Sequence, residues 1–499
     1  MLLPGTLFLI ALAFTFYVDC TSNVSVQKSR IWGPGLHADF LVPVRYFYVQ
    51  LVNKDGSNVT ESVGEDAITV SVVSGDGSPS RIWSQVLDRH DGSYIVRYRL
   101  YSTTSGLQIS VHFKGRHIAG SPYRIAGNIY HDTCDCPHQT VEQWAQFVGC
   151  PATYSQIRED LEIFKDLDMT KVAKEAVERY NRDGQHSLCH YKIVENKVYR
   201  KCYGQHVGFN MFGDAILLSL TRKMLFPNFE FFLNLGDWPL VTRKQNPLPV
   251  FSWCGSKQTF DIVLPTYDIT EATLEMMGRV SLDLFSTQAN TGPNWANKSN
   301  TAFWRGRDSR RERLDLVEMS LKNPDLIDAR LTNMFFFPKN PEKFGELVKQ
   351  VSFFDFFKHK YQLNIDGTVA AYRFPYLLAG DSVVFKQDSD YYEHFYRELT
   401  PYVHYIPIKH DLSDVIEKIK WARENDEEVH QIAKNGQHYA RAHLTPADIL
   451  CYHVRVFQHY ASLIKKGTKG IKEFDLVNNP DDRDKCNCPK KKVTKHTEL

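Results

Sequence analysis

The sequence predicts a multidomain chain: an N-terminal β-sandwich followed by an α/β region built around parallel strands. Three observations carry this reading. At 499 residues the chain is too long for one ordinary core, so two or three domains are expected. Residues from about Ser29 to Gly127 alternate short apolar runs with Gly- and Asp-rich turns, the pattern of an all-β sandwich. Between Lys360 and Trp421, strand-like runs alternate with helical patterns, which implies a parallel sheet with ligands at the carboxyl ends of its strands.

In chain order, Leu2 to Val18 is an apolar run the size of a signal-peptide core, assigned as residues 1–20, although no Lys or Arg precedes it. A retained anchor is the alternative. No other segment is long and apolar enough to span a bilayer, so no membrane span is expected in the mature chain. In the sandwich, assigned to 29–127, the strand candidates are Phe47–Val52, Ala67–Val72, Tyr94–Tyr98 and Leu107–Phe113. Turns at Asp55-Gly56, Asp76-Gly77 and Asp91-Gly92 separate them. A short polar stretch, 128–149, marks the boundary to the second region, assigned to 134–465.

There, Tyr154 to Tyr180 reads as helical, with Ile157, Leu161, Phe164 and Leu167 on one face. Cys189 and Cys202 flank a hairpin-like element. Phe229 to Leu235 is a buried strand ending in Gly236-Asp237-Trp238-Pro239, which sets one carboxylate at a sheet's carboxyl edge; an Asp capping a turn before Pro239 is the plainer reading. Phe260 to Pro265 is another strand candidate. Five arginines in nine residues, Arg305 to Arg313, fit either a solvated helix face or the capture of a diphosphate by guanidinium forks. Tyr361 to Ile365 reads as a strand, Asp366-Gly367-Thr368 as a phosphate-cradling turn, and Val369 to Leu378 as a helix closed by Gly380. Ser382–Phe385 and His404–Ile408 read as further strands, with an amphipathic helix from about Ser413. Beyond Lys465 a basic tail, 466–499, is expected to be mobile.

Formal charge is +2, which gives no drive towards nucleic acid. Ten cysteines, nine once Cys20 leaves with a signal peptide, indicate an oxidising compartment and at least one thiol that is free or paired between chains. Cys134 and Cys136 with Cys150, then Cys189 and Cys202, are candidate disulfide partners, with Cys451 available to tie the late helices back; Cys486 and Cys488 lie in the tail. Sequons at Asn23, Asn58 and Asn297 permit N-glycosylation there. The closing His496-Thr497-Glu498-Leu499 is similar to the tetrapeptides that return lumenal proteins to the endoplasmic reticulum, so the expected location is its lumen, with a retrieval receptor as one partner.

Gly33-Pro34-Gly35-Leu36, Asp91-Gly92-Ser93-Tyr94 and Gly120-Ser121-Pro122-Tyr123 together resemble a filamin-type immunoglobulin-like repeat. Across about Cys134 to Leu463 the chain resembles the protein O-glucosyltransferase family, relatives of fungal capsule-associated glycosyltransferases, and its KDEL-motif-containing branch in particular. The resemblance lies in Leu235-Gly236-Asp237-Trp238-Pro239, Phe303-Trp304-Arg305-Gly306-Arg307, Asn364 to Phe374 and Val403 to Ser413. It implies a GT-B fold with two Rossmann-like halves. It also implies inverting transfer from a UDP-sugar to a Ser hydroxyl on EGF-like repeats of Notch-type extracellular proteins, without a metal cofactor.

By the same resemblance Asp237 matches the catalytic base, and Arg313, Thr368, Val369, Ala370, Ala371, Tyr372 and Arg373 match donor-contacting positions. Arg307 stands where the better-known branch has a donor-contacting Ser, and Asp308 where it has Arg, so that contact differs in detail. UDP-glucose and UDP-xylose differ by one hydroxymethyl group, a difference of only ~1–3 kcal/mol in a pocket, and the residues do not choose between them. Two rival readings remain: a metal-dependent transferase using Asp388-Ser389-Asp390, and a lumenal chaperone or adaptor with a degenerate transferase domain.

Overall fold

The computed structural model describes residues 23–137, 139–181, 188–204, 208–276, 283–478 and 486. The signal-peptide core and the closing tetrapeptide lie outside them. No described helix is long and apolar enough to cross a membrane.

Residues Arg30–Trp32, Arg45–Gln50, Ser93–Leu100 and Ile82–Asp88 form one antiparallel sheet of the N-terminal sandwich. Ile68–Ser74, Thr104–Phe113, Arg116–His117 and Tyr123–Ile129 form the other. Phe47, Val49, Val96, Ile109, Val111 and Phe113 fill the space between them, alternate residues of each strand pointing inward. The turn motifs have local causes. A Cβ on Gly35 would lie 2.5 Å from the Tyr46 carbonyl, and Gly92, at φ +75°, would place one 2.4 Å from that of Val59. The strands Ile82–Asp88 and Tyr123–Ile129, not foreseen, carry the weaker alternation of half-covered edges.

The module is fused to the rest of the chain. Arg97, almost fully buried, pairs with Asp283 at 2.5 Å and reaches Ser286, while Arg99 pairs with Glu275 at 3.0 Å. Phe40, Tyr46, Leu87 and Ile95 belong to the same apolar core as the following domain. Arg97→Ala would leave the Asp283 carboxylate without its partner, a change that typically costs several kcal/mol.

Two larger sheets follow. The first runs in the order Ile262–Val263, Val250–Ser252, Phe229–Asn234, Leu188–Val194, Lys197–Tyr203, Asp475–Leu476. Its first three strands are parallel and the rest antiparallel. Phe229–Asn234 is buried along its whole length, each phenylalanine contributing ~1.5–3 kcal/mol on burial. Leu188–Val194 and Lys197–Tyr203 turn through Glu195 and Asn196, both at positive φ, which sets Cys189 directly opposite Cys202, and the two are disulfide-bonded. The helical stretch after Tyr154 is two helices, Ser155–Glu162 and Met169–Tyr180, interrupted near Asp166, whose φ is positive.

The second sheet is wholly parallel: Ile327–Asn333, Ser299–Arg307, His359–Asn364, Val383–Gln387, Ile406–Ile408. Numbered along the chain, these strands lie in the order 2-1-3-4-5, so the order reverses between Ser299–Arg307 and His359–Asn364. Ligands bind such sheets in the crevice that opens there, at the strands' carboxyl ends. Helix Val415–Glu424 buries Val415, Ile419 and Ala422 against this sheet's core.

Two expectations are corrected. The helix foreseen over Val369–Leu378 is only Phe374–Ala379, because Pro375 favours a helix start at that point and the residues before it form turns. The tail foreseen from 466 is docked as far as 478: Thr468 donates to Glu230, Lys192 donates to the carbonyls of Thr468 and Gly470, and Asp475–Leu476 adds an edge strand. Cys486 is bonded to Cys134, Cys451 to Cys150, and Cys136 is also oxidised; Cys254 is a free, buried thiol.

Glu393 is fully buried, with one carboxylate oxygen accepting from Tyr396 and the other without a partner among the described residues. Burial pushes its pKa up to about 8. Between the ordinary value of 4.5 and 8 the unfolded chain has released this proton and the folded chain keeps it. The stability this group contributes is therefore complete below pH 4.5 and is lost as pH rises through 8. Glu393→Gln is expected to raise Tm at pH 8–9 by roughly 2–4 °C and leave it unchanged near pH 4.5, as measured by scanning fluorimetry across pH.

Candidate active site

Asp237, Cys254 and Tyr267 follow the carboxyl ends of three neighbouring parallel strands, Phe229–Asn234, Val250–Ser252 and Ile262–Val263. Parallel pairing brings residues thirty positions apart to one edge. The turn carrying Asp237 is stapled by buried Asn234, whose Oδ1 accepts from Gly236 N–H and whose Nδ2 donates to the Trp238 carbonyl at 2.6 Å. Buried Asp261 fixes the chain just beyond by accepting from Leu240 and Val241 N–H and from Ser252. The half-exposed Asp237 accepts a hydrogen bond from the Tyr267 hydroxyl at 3.1 Å, and its carbonyl accepts from Cys254 Sγ. Burial and the charges of Asp237 and Asp268 push the Tyr267 phenol up, so it stays a donor. Its ring is clamped by Phe209, Phe212, Trp253 and Tyr372.

The opposite wall comes from the second sheet. Val369, Ala370 and Tyr372 pack on Cys254 and join the two sheets, so the side chains of this run, buried Ala371 included, are engaged in packing. Their carbonyls are partly engaged as well, Val369 accepting from Gly367 N–H and Ala371 from Phe374 N–H, but their amide N–H groups are not. Among the described residues, the N–H groups of Thr368, Val369, Ala370, Ala371 and Tyr372 have no acceptor. Leaving donors unpaired in a packed segment costs free energy, ~1–3 kcal/mol apiece where water is excluded, so such a run is a place for an anion.

Guanidinium groups crowd the same place. Arg313 is buried and spends four of its five N–H donors on the carbonyls of Asp366, Ile365 and Arg307 and on Ser309 Oγ. It therefore braces the Asp366-Gly367 turn and keeps one donor in reserve. Burial, then the like charge of Arg373, then Arg307 and Arg310 push its pKa down to about 9, with Asp366 opposing. Arg373 donates to the Arg305 carbonyl at 2.8 Å, and burial brings it down to about 10. Arg310 lies 3.6 Å from Asp366, and Arg307 is exposed beside Phe336. Asp268 links the two walls: burial, Glu271 and Asp237 raise its pKa to about 6, while Arg373 opposes the rise.

The structure thus brings Asp237, Arg313, Arg373 and the Thr368–Tyr372 amides to one joint between two sheets, with Arg307 at the rim. Arg310 was foreseen only as one of five clustered arginines; Asn234, Asp261 and Tyr267 were not foreseen. Of these, only Asn234 left a local signal, an Asn two residues before a turn glycine. Asp308 is fully buried and accepts from the N–H groups of Phe335, Phe336 and Phe337, so it shapes a loop. The Asp388 and Asp390 carboxylates are exposed and each lies 3.7 Å from Lys257 Nζ, an arrangement of ion pairing. The sequon asparagines Asn23, Asn58 and Asn297 are all exposed.

A carboxylate, a run of unpaired amides and several guanidinium groups at one joint between two sheets suit a group-transfer enzyme. Residues 146–498 match the model of Glycosyl transferase family 90, and residues 23–124 match that of the Filamin/ABP280 repeat. The chain belongs to glycosyl transferase family 90 and is a glycosyltransferase with an N-terminal filamin-type module. It is 53% identical over 472 residues to Protein O-glucosyltransferase 2 of Danio rerio, covering 94% of each chain. To Protein O-glucosyltransferase 3 of Homo sapiens it is 48% identical over 483 residues, covering 95% of this chain and 94% of that one. To Protein O-glucosyltransferase 1 of Homo sapiens it is 30% identical over 349 residues, 66% of this chain and 84% of that one.

Proposed function

We propose that this chain is an inverting protein O-glucosyltransferase of the endoplasmic reticulum lumen, moving glucose from UDP-glucose to a Ser hydroxyl on folded EGF-like repeats, with UDP-xylose as a competing donor. The two α/β sheets form the halves of a GT-B enzyme. The carrying observation is the run of unpaired amides at Thr368–Tyr372 beside mutually repelling guanidiniums, which a diphosphate would satisfy at once.

In the reaction, Asp237 takes the Ser Oγ proton as the oxygen attacks the anomeric carbon from the face opposite UDP. The bond to the diphosphate oxygen breaks and its electron pair leaves with UDP, so the anomeric configuration inverts. Tyr267 holds the Asp237 carboxylate towards the acceptor. Arg373, the amides and the remaining Arg313 donor meet the charge that grows on UDP. The fusion of the filamin-type module to the enzyme's core supports its acting as a fixed part of the catalyst.

Purified protein incubated with a folded EGF-like repeat and either UDP-glucose or UDP-xylose, with and without EDTA, tests the reading by peptide mass spectrometry. A hexose on Ser that persists in EDTA is expected. No sugar on any repeat would reject transfer and favour the adaptor, while activity lost in EDTA and restored by Mn²⁺ would favour the metal-dependent mechanism.

A further inference from the structure

A second cleft, about 1120 Å³, lies between the filamin-type module and helices Asp426–His443 and Pro446–Leu463. Its lining includes Trp32, Tyr48, Asn58, Arg89, Asp91 and Arg441. Trp32 and Tyr48 are cross-strand partners with ring centroids 5.6 Å apart. Trp32 is 46% exposed, large for an aromatic inside a cleft. The Arg89 guanidinium lies 4.7 Å from the centre of the Tyr48 ring, and Arg441 pairs with Asp91 at 2.5 Å. Among the described residues, the buried Nε atoms of Arg89 and Arg441 have no acceptor. Aromatic faces beside guanidinium groups and a carboxylate suit a carbohydrate, which offers C–H faces and hydroxyls together.

Asn58 supplies the source of that carbohydrate. It is exposed, opens the sequon Asn58-Val59-Thr60, and its Oδ1 accepts from Arg30 Nη2 at 2.7 Å, which leaves Nδ2 free for linkage. Arg30 and Trp32 project from the same face of one strand, roughly 6.6 Å apart, so a sugar on Asn58 starts within reach of the Trp32 ring.

We propose that this cleft holds an N-glycan carried by Asn58, its first sugars covering Trp32 and Tyr48 and its polar groups meeting Arg89, Asp91 and Arg441, so that the glycan ties the filamin-type module to the transferase. The inference rests on the lumenal location proposed above. In the linkage step the Asn58 amide nitrogen bonds to the anomeric carbon of an oligosaccharide delivered by a polyisoprenyl diphosphate donor; the diphosphate departs and one amide proton is lost.

Full-length protein from a secretory host provides the test. Thr60→Ala removes the sequon but keeps Asn58 and its bond to Arg30; Asn58→Gln is the second glycan-free variant, and Trp32→Ala keeps the glycan but removes its platform. Glycopeptide mass spectrometry is expected to find Asn58 occupied. Native protein should resist endoglycosidase at Asn58 more than at Asn297. Thr60→Ala is expected to lower Tm by a few degrees and speed amide exchange several-fold across 438–448, and Trp32→Ala to abolish the resistance at Asn58. An occupied Asn58 with Tm and exchange unchanged in Thr60→Ala overturns the docking. An unoccupied Asn58 overturns it too: with Asn297 occupied the lumenal location survives, and with neither occupied that location fails as well.

Discussion

Asp237→Asn is expected to fold, to bind UDP with unchanged affinity and to lose transfer by ~10²- to 10⁴-fold, the usual contribution of a positioned base. The amide has the carboxylate's shape, and its oxygen still accepts from Tyr267. The staple that shapes the turn uses the Asn234 side chain and backbone groups, so it survives the change. What disappears is the capacity to accept a proton. Single-turnover assays beside calorimetric UDP titration separate the two effects, and near-normal turnover would remove Asp237 from its role.

Arg373→Ala should weaken UDP binding by roughly 10- to 100-fold, because a hydrogen bond to a charged group is worth ~1.5–3 kcal/mol. The substitution also removes the bond to the Arg305 carbonyl. Arg373→Lys keeps a charge without the planar fork and should recover part of the loss. Arg373→Ala, unlike Arg373→Lys, also leaves Arg313 with one fewer like charge beside it. Calorimetry on both variants decides the matter: an unchanged Kd in Arg373→Ala would dissociate this residue from the diphosphate.

Much of the architecture was legible where it is written locally. The parallel strands around Leu363, Val384 and Ile406 announce themselves as short apolar runs, and the amphipathic helix begins within two residues of Ser413. The Cys189–Cys202 pair follows from a hairpin. The misses share a cause: their partners are distant in sequence. Val369 to Tyr372 has helical composition, yet packing against Cys254 holds it in turns with its amides free. Residues 466–478 look like solvated tail until Glu230 and Lys192, more than two hundred positions earlier, are seen to bind them. Tyr267 could not be linked to Asp237 before their strands, Ile262–Val263 and Phe229–Asn234, were known to flank Val250–Ser252 in one parallel sheet. Arg313 was foreseen as a donor contact, but the structure adds a bracing duty that no local pattern conveys.

The Cys134–Cys486 bond joins the start of the transferase to its far end and makes the catalytic body a covalent ring. Tension applied to the chain beyond Cys486 is therefore transmitted to the junction with the filamin-type module as well as to the edge strand Asp475–Leu476. Even if that strand peels from its neighbour, the terminus stays leashed to the body while the bond is intact.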